Sequence, residues 1–234
     1  MKSNIVVTGG TKGIGRAIIN LFADKGFDII TCSRSQADLE GLEAEINTKY
    51  PQVTITSMVA DLSVKEEAII FSDFVKSTVH ELKVLVNNSG AFVPGTITEE
   101  KDGDFEIMMD TNLSSAYHIT RSLISSVKQA KGHIFNMCST ASIMPYVNGG
   151  SYCISKYALL GLTKVLREEM KPFEVRVTAI MPGATYTTSW ASSDLPEDRF
   201  MKADDVAHAI WGAYAMSSRS VVEEILIRPQ LGDI

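Results

Sequence analysis

The chain has 234 residues, and its 22 Lys and Arg stand against 28 Asp and Glu, a formal net charge of −6. With 45% hydrophobic and 21% charged residues it has the composition of a chain that buries a core, which excludes a disordered protein, and no run approaches the roughly 18–20 apolar residues of a membrane helix. Cations scattered through an acidic chain form no basic face, so neither nucleic acid nor membrane is expected as a partner.

The predicted elements alternate along the chain. Short apolar, β-branched runs recur at Ile5–Val7, Phe27–Thr31, Val53–Met58, Val84–Val86, His133–Met137, Val175–Ile180 and Ile225–Ile227. The first six each lead into helical periodicity. Gly13–Lys25 carries Ile14, Ala17, Ile18, Leu21 and Phe22 at three- and four-residue spacing, which puts them on one face. Gln36–Lys49, Val64–His80, Phe105–Ala130 and Tyr152–Met170 behave alike, and Ala203–Ala215 follows the sixth strand, with Asp204 and Asp205 at its start. Solidly apolar strands alternating with helices predict a parallel sheet covered on both faces, an α/β doubly wound fold. The length predicts one domain, 1–234, holding both cofactor and substrate sites. The longest irregular stretch, Pro182 to Met201, leaves the end of the sixth strand, where ligands bind in such sheets.

Cys32, Cys138 and Cys153 are odd in number and lack C-x-x-C spacing, so they predict no disulfide framework and no zinc site. Cys32 and Cys138 end apolar runs and read as small core residues. Cys153 stands beside Tyr152, where modification of an exposed thiol would inhibit. The four histidines are dispersed, and no metal is expected. The apolar run Ile5–Val7 is too short for a signal peptide, and a cytoplasmic location is expected.

The first strand ends in Thr8-Gly9-Gly10-Thr11-Lys12-Gly13-Ile14-Gly15-Arg16. Glycines between a strand and an amphipathic helix allow a tight turn and let backbone amides approach a pyrophosphate. The second strand ends in Thr31-Cys32-Ser33-Arg34, with no acid to bind a ribose 2′-hydroxyl. Arg34, with Lys12 nearby, suits a 2′-phosphate instead, so NADP(H) is the expected cofactor. Three further segments follow strand ends: Asn87-Asn88-Ser89-Gly90, Cys138-Ser139-Thr140 and Tyr152-Cys153-Ile154-Ser155-Lys156. Tyr152 and Lys156, four apart, share a helix face. An ammonium there favours the phenolate and lowers the pKa of a group that ordinarily titrates near 10.

Taken together these motifs resemble the classical short-chain dehydrogenase/reductase family over essentially the whole chain, with Asp61, Asn112 and Pro182-Gly183 also at the matching places. Ser89 and Thr185 depart from the family pattern. The resemblance implies a Rossmann sheet of seven parallel strands in the order 3-2-1-4-5-6-7 with helices on both faces. It implies that Tyr152 gives its proton to a carbonyl oxygen, that Ser139 hydrogen-bonds that oxygen, that Lys156 tunes Tyr152 and holds the nicotinamide ribose, and that Asn112 anchors a relay water. The cofactor residues it implies are Thr8, Gly9, Thr11, Lys12, Gly13, Ile14 and Gly15 at the phosphates; Ser33 and Arg34 at the 2′-phosphate; Asp61, Leu62, Asn88 and Gly90 on the adenosine side; and Tyr152, Lys156, Pro182, Gly183, Thr185 and Thr187 at the nicotinamide. A homodimer or homotetramer is expected on the same ground.

Only 19 residues lie between Gly183 and Ala203. That short loop, with Trp190 in it, and the tail ending Gln230-Leu231-Gly232-Asp233-Ile234 resemble bacterial sepiapterin reductases. Trp190 offers a stacking face to a planar substrate. The expected activity is NADPH-dependent reduction of a small, sepiapterin-like ketone. A 3-oxoacyl-acyl-carrier-protein reductase and a non-enzymatic NADP-sensing module are the alternatives.

Overall fold

The computed structural model describes residues 2–187 and 194–233. Strands β1 (Asn4–Thr8), β2 (Asp28–Ser33), β3 (Ile55–Val59), β4 (Val84–Asn87), β5 (His133–Met137), β6 (Arg176–Pro182) and β7 (Glu224–Ile227) form one sheet in the order β3-β2-β1-β4-β5-β6-β7. Every neighbouring pair is parallel. Side chains of a strand alternate between faces, and here both faces are buried. Ile5 and Val7 enter one apolar layer and Val6 the other; Phe135 and Met137 divide from Ile134 in the same way. That two-sided burial is why the strands read as unbroken apolar runs rather than as alternation.

Helices α1 (Gly13–Asp24), α2 (Gln36–Lys49) and α7 (Ala203–Tyr214) cover the first face. The second is covered by α3 (Lys65–Thr78), α5 (Ser115–Ala130) and α6 (Gly150–Met170). Phe22 of α1 meets Trp211 and Tyr214 of α7 edge-on, with centroids 5.3 and 5.9 Å apart. Such pairs contribute roughly 0.5–1.5 kcal/mol each beyond burial, and they clamp α1, which follows the glycine loop, to α7. At the start of β5, beside Tyr214, His133 is fully buried, with Nε2 2.7 Å from Thr178 Oγ1. Burial, reinforced by Arg176, pulls its pKa to about 2. It is a neutral core residue.

One predicted helix is broken. The continuous pattern over Phe105–Ala130 is resolved into α4 (Asp104–Met109), a π-turn over Asp110–Ser114, and α5. A π-turn inserts one residue into the ladder, which redirects the side chains that follow without interrupting apolar periodicity enough to be read. Asn112 lies in that turn. No helix among the described residues is long and apolar enough to cross a membrane.

Candidate active site

The carboxyl ends of β1, β2, β4 and β5 open onto a cleft of about 670 Å³ that runs from the glycine loop to Tyr152 and Lys156. Its walls include Gly9, Thr11, Lys12, Gly13, Ile14, Gly15, Ser33, Arg34, Asp61, Leu62, Asn88, Gly90 and Thr187. All of these were named from sequence. Gly15 shows how tightly the loop is drawn. A Cβ there would stand 2.5 Å from the Gly9 carbonyl and 2.6 Å from Asn88 Nδ2, so only glycine fits. Asn88 completes the cradle, since its Nδ2 donates to the Thr8 and Gly9 carbonyls at 2.9 and 3.1 Å.

Four of the sequence-named residues lie outside the cleft walls and make bonds within the frame. Thr8 is buried, and its hydroxyl accepts from the amides of Asn88 and Ser89 at 2.9 and 3.0 Å, tying β1 to β4. Pro182 ends β6, and the Gly183 amide donates to the Ile227 carbonyl at 2.8 Å. Thr185 is buried with its hydroxyl donating to the Gly183 carbonyl at 3.0 Å. Trp190 lies outside the described residues.

Arg34 is exposed at the rim of the cleft and has no side-chain partner among the described residues. Lys12 is paired instead, 2.6 Å from the carboxylate of Asp38. The ammonium holds the Asp38 carboxyl below the usual carboxylate range. Asp38 was missed from sequence, although the signal was present. Ser35 and Asp38 have capping spacing, and Ser35 Oγ accepts from the Asp38 amide at 3.2 Å, which sets Asp38 in the first turn of α2, beside the end of β2. Phe92 and Met137, also unread in sequence, line the cleft near Tyr152.

At the far end, Ser139 stands beside the Tyr152 phenol and favours its ionised form, its own Oγ accepting from the Ala141 amide at 3.1 Å, and Phe92 packs edge-on against the Tyr152 ring at 4.8 Å. Burial raises the Tyr152 phenol, and Ser139 opposes it. Lys156 Nζ lies 5.7 Å from the Tyr152 ring centroid and donates to the Met137 carbonyl at 2.8 Å. Burial brings the Lys156 ammonium down to about 8. At Tyr152 the lowering comes from Ser139, and desolvation outweighs it. Cys32 and Cys138 are buried as expected, with their thiols pushed up to about 12 and about 11. Cys153 is also buried, at the wall of a neighbouring cavity.

Asn112 is buried, and its side chain makes three hydrogen bonds. Its Oδ1 accepts from the Ala91 amide at 2.7 Å, while Nδ2 donates to the Ala91 carbonyl at 3.0 Å and to Ser155 Oγ at 2.9 Å. It links the π-turn, the chain after β4 and α6.

The comparisons agree with this geometry. The model of the short chain dehydrogenase family matches residues 3–198. A sepiapterin reductase from Chlorobaculum tepidum is 34% identical over all of this chain and 99% of its own length. The fold superposes with a TM-score of 0.93 on an alcohol dehydrogenase from the archaeon Thermococcus sibiricus complexed with 5-hydroxy-NADP, at 25% identity, over 100% of this chain and 99% of that one. A metagenomic short-chain oxidoreductase in complex with NADP superposes with a TM-score of 0.83 at 28% identity, over 98% of each chain. A glycine cradle, a Ser139–Tyr152–Lys156 group at the other end of one cleft, and a family match over most of the length lead to one conclusion: this chain belongs to the short-chain dehydrogenase/reductase family of oxidoreductases.

Proposed function

We propose that this protein is an NADPH-dependent carbonyl reductase acting on a small, planar, sepiapterin-like ketone. The observation that carries the cofactor reading is Arg34, which has no partner among the described residues and stands at the cleft rim, while the nearby Asp38 carboxylate is paired with Lys12. The donor set and the space fit NADP(H): the tight cradle at Gly15 leaves the loop amides for the pyrophosphate, while Arg34 and Lys12 suit the 2′-phosphate. NADP-bound neighbours at 25% and 28% identity support the same choice. When bound, the nicotinamide supplies the hydride.

The chain's residues supply position and the proton. Tyr152, whose phenol burial keeps protonated at neutral pH, gives its proton to the substrate oxygen. Ser139 donates a hydrogen bond to that oxygen and steadies the developing charge. Lys156 has one hydrogen-bond partner among the described residues, the Met137 carbonyl, which leaves donors for the nicotinamide ribose. The substrate reading is supported by the full-length similarity to a sepiapterin reductase and by the short connection between Gly183 and Ala203. The active enzyme is proposed to be a cytoplasmic homodimer or homotetramer, to be checked by light scattering.

The substrate is tested by following NADPH oxidation with sepiapterin and with an acetoacetyl thioester. Faster turnover of sepiapterin is expected; preference for the thioester would move the protein to the acyl-carrier class. Arg34→Asp is expected to lower the NADPH-over-NADH preference in kcat/KM by about 10–100-fold, the worth of a charge-assisted hydrogen bond lost to a phosphate. An unchanged preference would refute the role given to Arg34.

A further inference from the structure

Helix α6, which carries Tyr152 and Lys156, begins without a cap of its own. Gly149 at its N-cap has no side chain to offer, and the first turn contains no acid. The missing acceptor comes from 51 residues upstream. Glu100 Oε1 accepts from the Ser151 amide at 2.7 Å, and Oε2 accepts from the Ser151 hydroxyl. Ser151 is buried and directly precedes Tyr152. The chain is shaped around this contact. Gly150 sits at a φ of +23°, and a Cβ there would stand 2.1 Å from Glu100 Oε1 and 2.7 Å from the Gly95 carbonyl. The Gly95 amide donates to the Asn148 carbonyl at 3.0 Å.

The same connection between β4 and α4 touches the catalytic group at two other points. Phe92 packs on the Tyr152 ring, and the Ala91 backbone holds Asn112, which in turn donates to Ser155 on α6. The first turn of α6 is thus held from one segment at its backbone, its ring and its far side. A carboxylate at a helix start satisfies orphan amides and interacts favourably with the dipole. Misplacing a reacting group by about 1 Å can cost about 10²-fold in rate.

We propose that Glu100 is a positioning residue for Tyr152: it anchors Ser151 and sets where the phenol stands relative to Ser139 and the substrate oxygen. The proposal rests on the reading of Tyr152 as proton donor. Hydrogen bonding, rather than charge, does the anchoring, because the Ser151 hydroxyl can turn and accept from an amide placed where the carboxylate stood. Glu100→Gln therefore keeps both bonds, and Glu100→Ala loses both.

The test compares these two variants with wild type in the NADP⁺ complex. The readout is the ¹³Cζ-tyrosine resonance of Tyr152, assigned by its disappearance in Tyr152→Phe. The Glu100→Ala titration midpoint is expected to depart from wild type by about half a unit or more, and Glu100→Gln to follow wild type. In parallel, with sepiapterin and with diacetyl as a general carbonyl probe, Glu100→Ala should lower kcat about tenfold, within the range a displaced acid costs, with KM for NADPH unchanged and Glu100→Gln restoring kcat. A wild-type titration and kcat in Glu100→Ala would overturn the proposal, as would equal shifts in the two variants, which would mean charge alone. If Glu100→Ala does not fold, Ser151→Ala, which keeps the backbone bond and loses the hydroxyl bond, takes its place and should shift the midpoint in the same direction. If wild type reduces neither carbonyl, the substrate reading fails and the resonance comparison decides on Glu100.

Discussion

Tyr152→Phe is expected to lower kcat for carbonyl reduction by about 10²–10⁴-fold, the range for loss of a positioned proton donor. NADPH affinity should be unchanged. The ring that packs against Phe92 at 4.8 Å stays in place, and only the hydroxyl beside Ser139 is removed. Reduction needs the protonated phenol. Burial raises the phenol pKa, so the wild-type rate should hold on the acid and neutral side and fall only as pH rises through the raised value. Steady-state kinetics across pH, with NADPH binding followed by fluorescence, check both parts. Comparable kcat in the two proteins would refute Tyr152 as the proton donor.

Lys156→Met should separate activity from stability. Turnover is expected to fall by at least the same 10² factor, because the ribose anchor and the charge beside Tyr152 both go. Stability should change differently with pH. The Lys156 ammonium titrates at about 8 in the folded protein, against 10.5 for an unperturbed lysine. Between those values the unfolded state holds the extra proton, so this group makes wild-type stability rise with pH through the window. Below it, burying the charge costs about 3 kcal/mol. Methionine removes that cost and strands the Met137 carbonyl, which accepts from Lys156 at 2.8 Å, a loss of about 1–3 kcal/mol. At neutral pH the variant should therefore match or exceed wild type, and wild type should gain on it from pH 8 upward. Urea unfolding of the cofactor-free proteins at a series of pH values decides the point; parallel curves would show that Lys156 stays charged in the fold.

The two substitutions differ because of where each side chain sits, which no motif conveys. The Y-x-x-x-K spacing places Tyr152 and Lys156 on one helix face, and α6 bears this out. It does not say that Lys156 is buried to 4% exposure while its one described partner is a carbonyl. The balance between attraction and desolvation is a property of the packed cleft, and here desolvation prevails at both residues.

Local periodicity carried the architecture a long way. The strands at Ile5–Val7 and His133–Met137 lie where apolar runs bounded by turn residues put them, since a strand buried on both faces must be apolar throughout. The glycine loop was legible for a related reason: each residue's chemistry there is set by neighbours within a few positions. The π-turn at Asp110–Ser114 was not, because one inserted residue leaves the apolar pattern almost intact while turning Asn112 toward Ala91 and Ser155. Asp38 is placed by its local cap, but the ion pair it makes is not local. Its partner, Lys12, lies on another βα unit, and nothing local announces the pair.

The amino-acid order settled the alternation of strands and helices, the family, the glycine cradle and the placing of Tyr152 and Lys156 on one helix face, because these depend on residue type and short spacing. Which side chains bear on the phenol came from the fold. Ser139 is 13 residues from Tyr152 in the chain, Phe92 is 60 and Glu100 is 52, and it is the parallel crossovers that bring the ends of β4, β5 and the start of α6 to one edge of the sheet. Contacts between residues so far apart carry no period and no local propensity. They exist only once the sheet has assembled and the cleft at its carboxyl edge has closed around Tyr152.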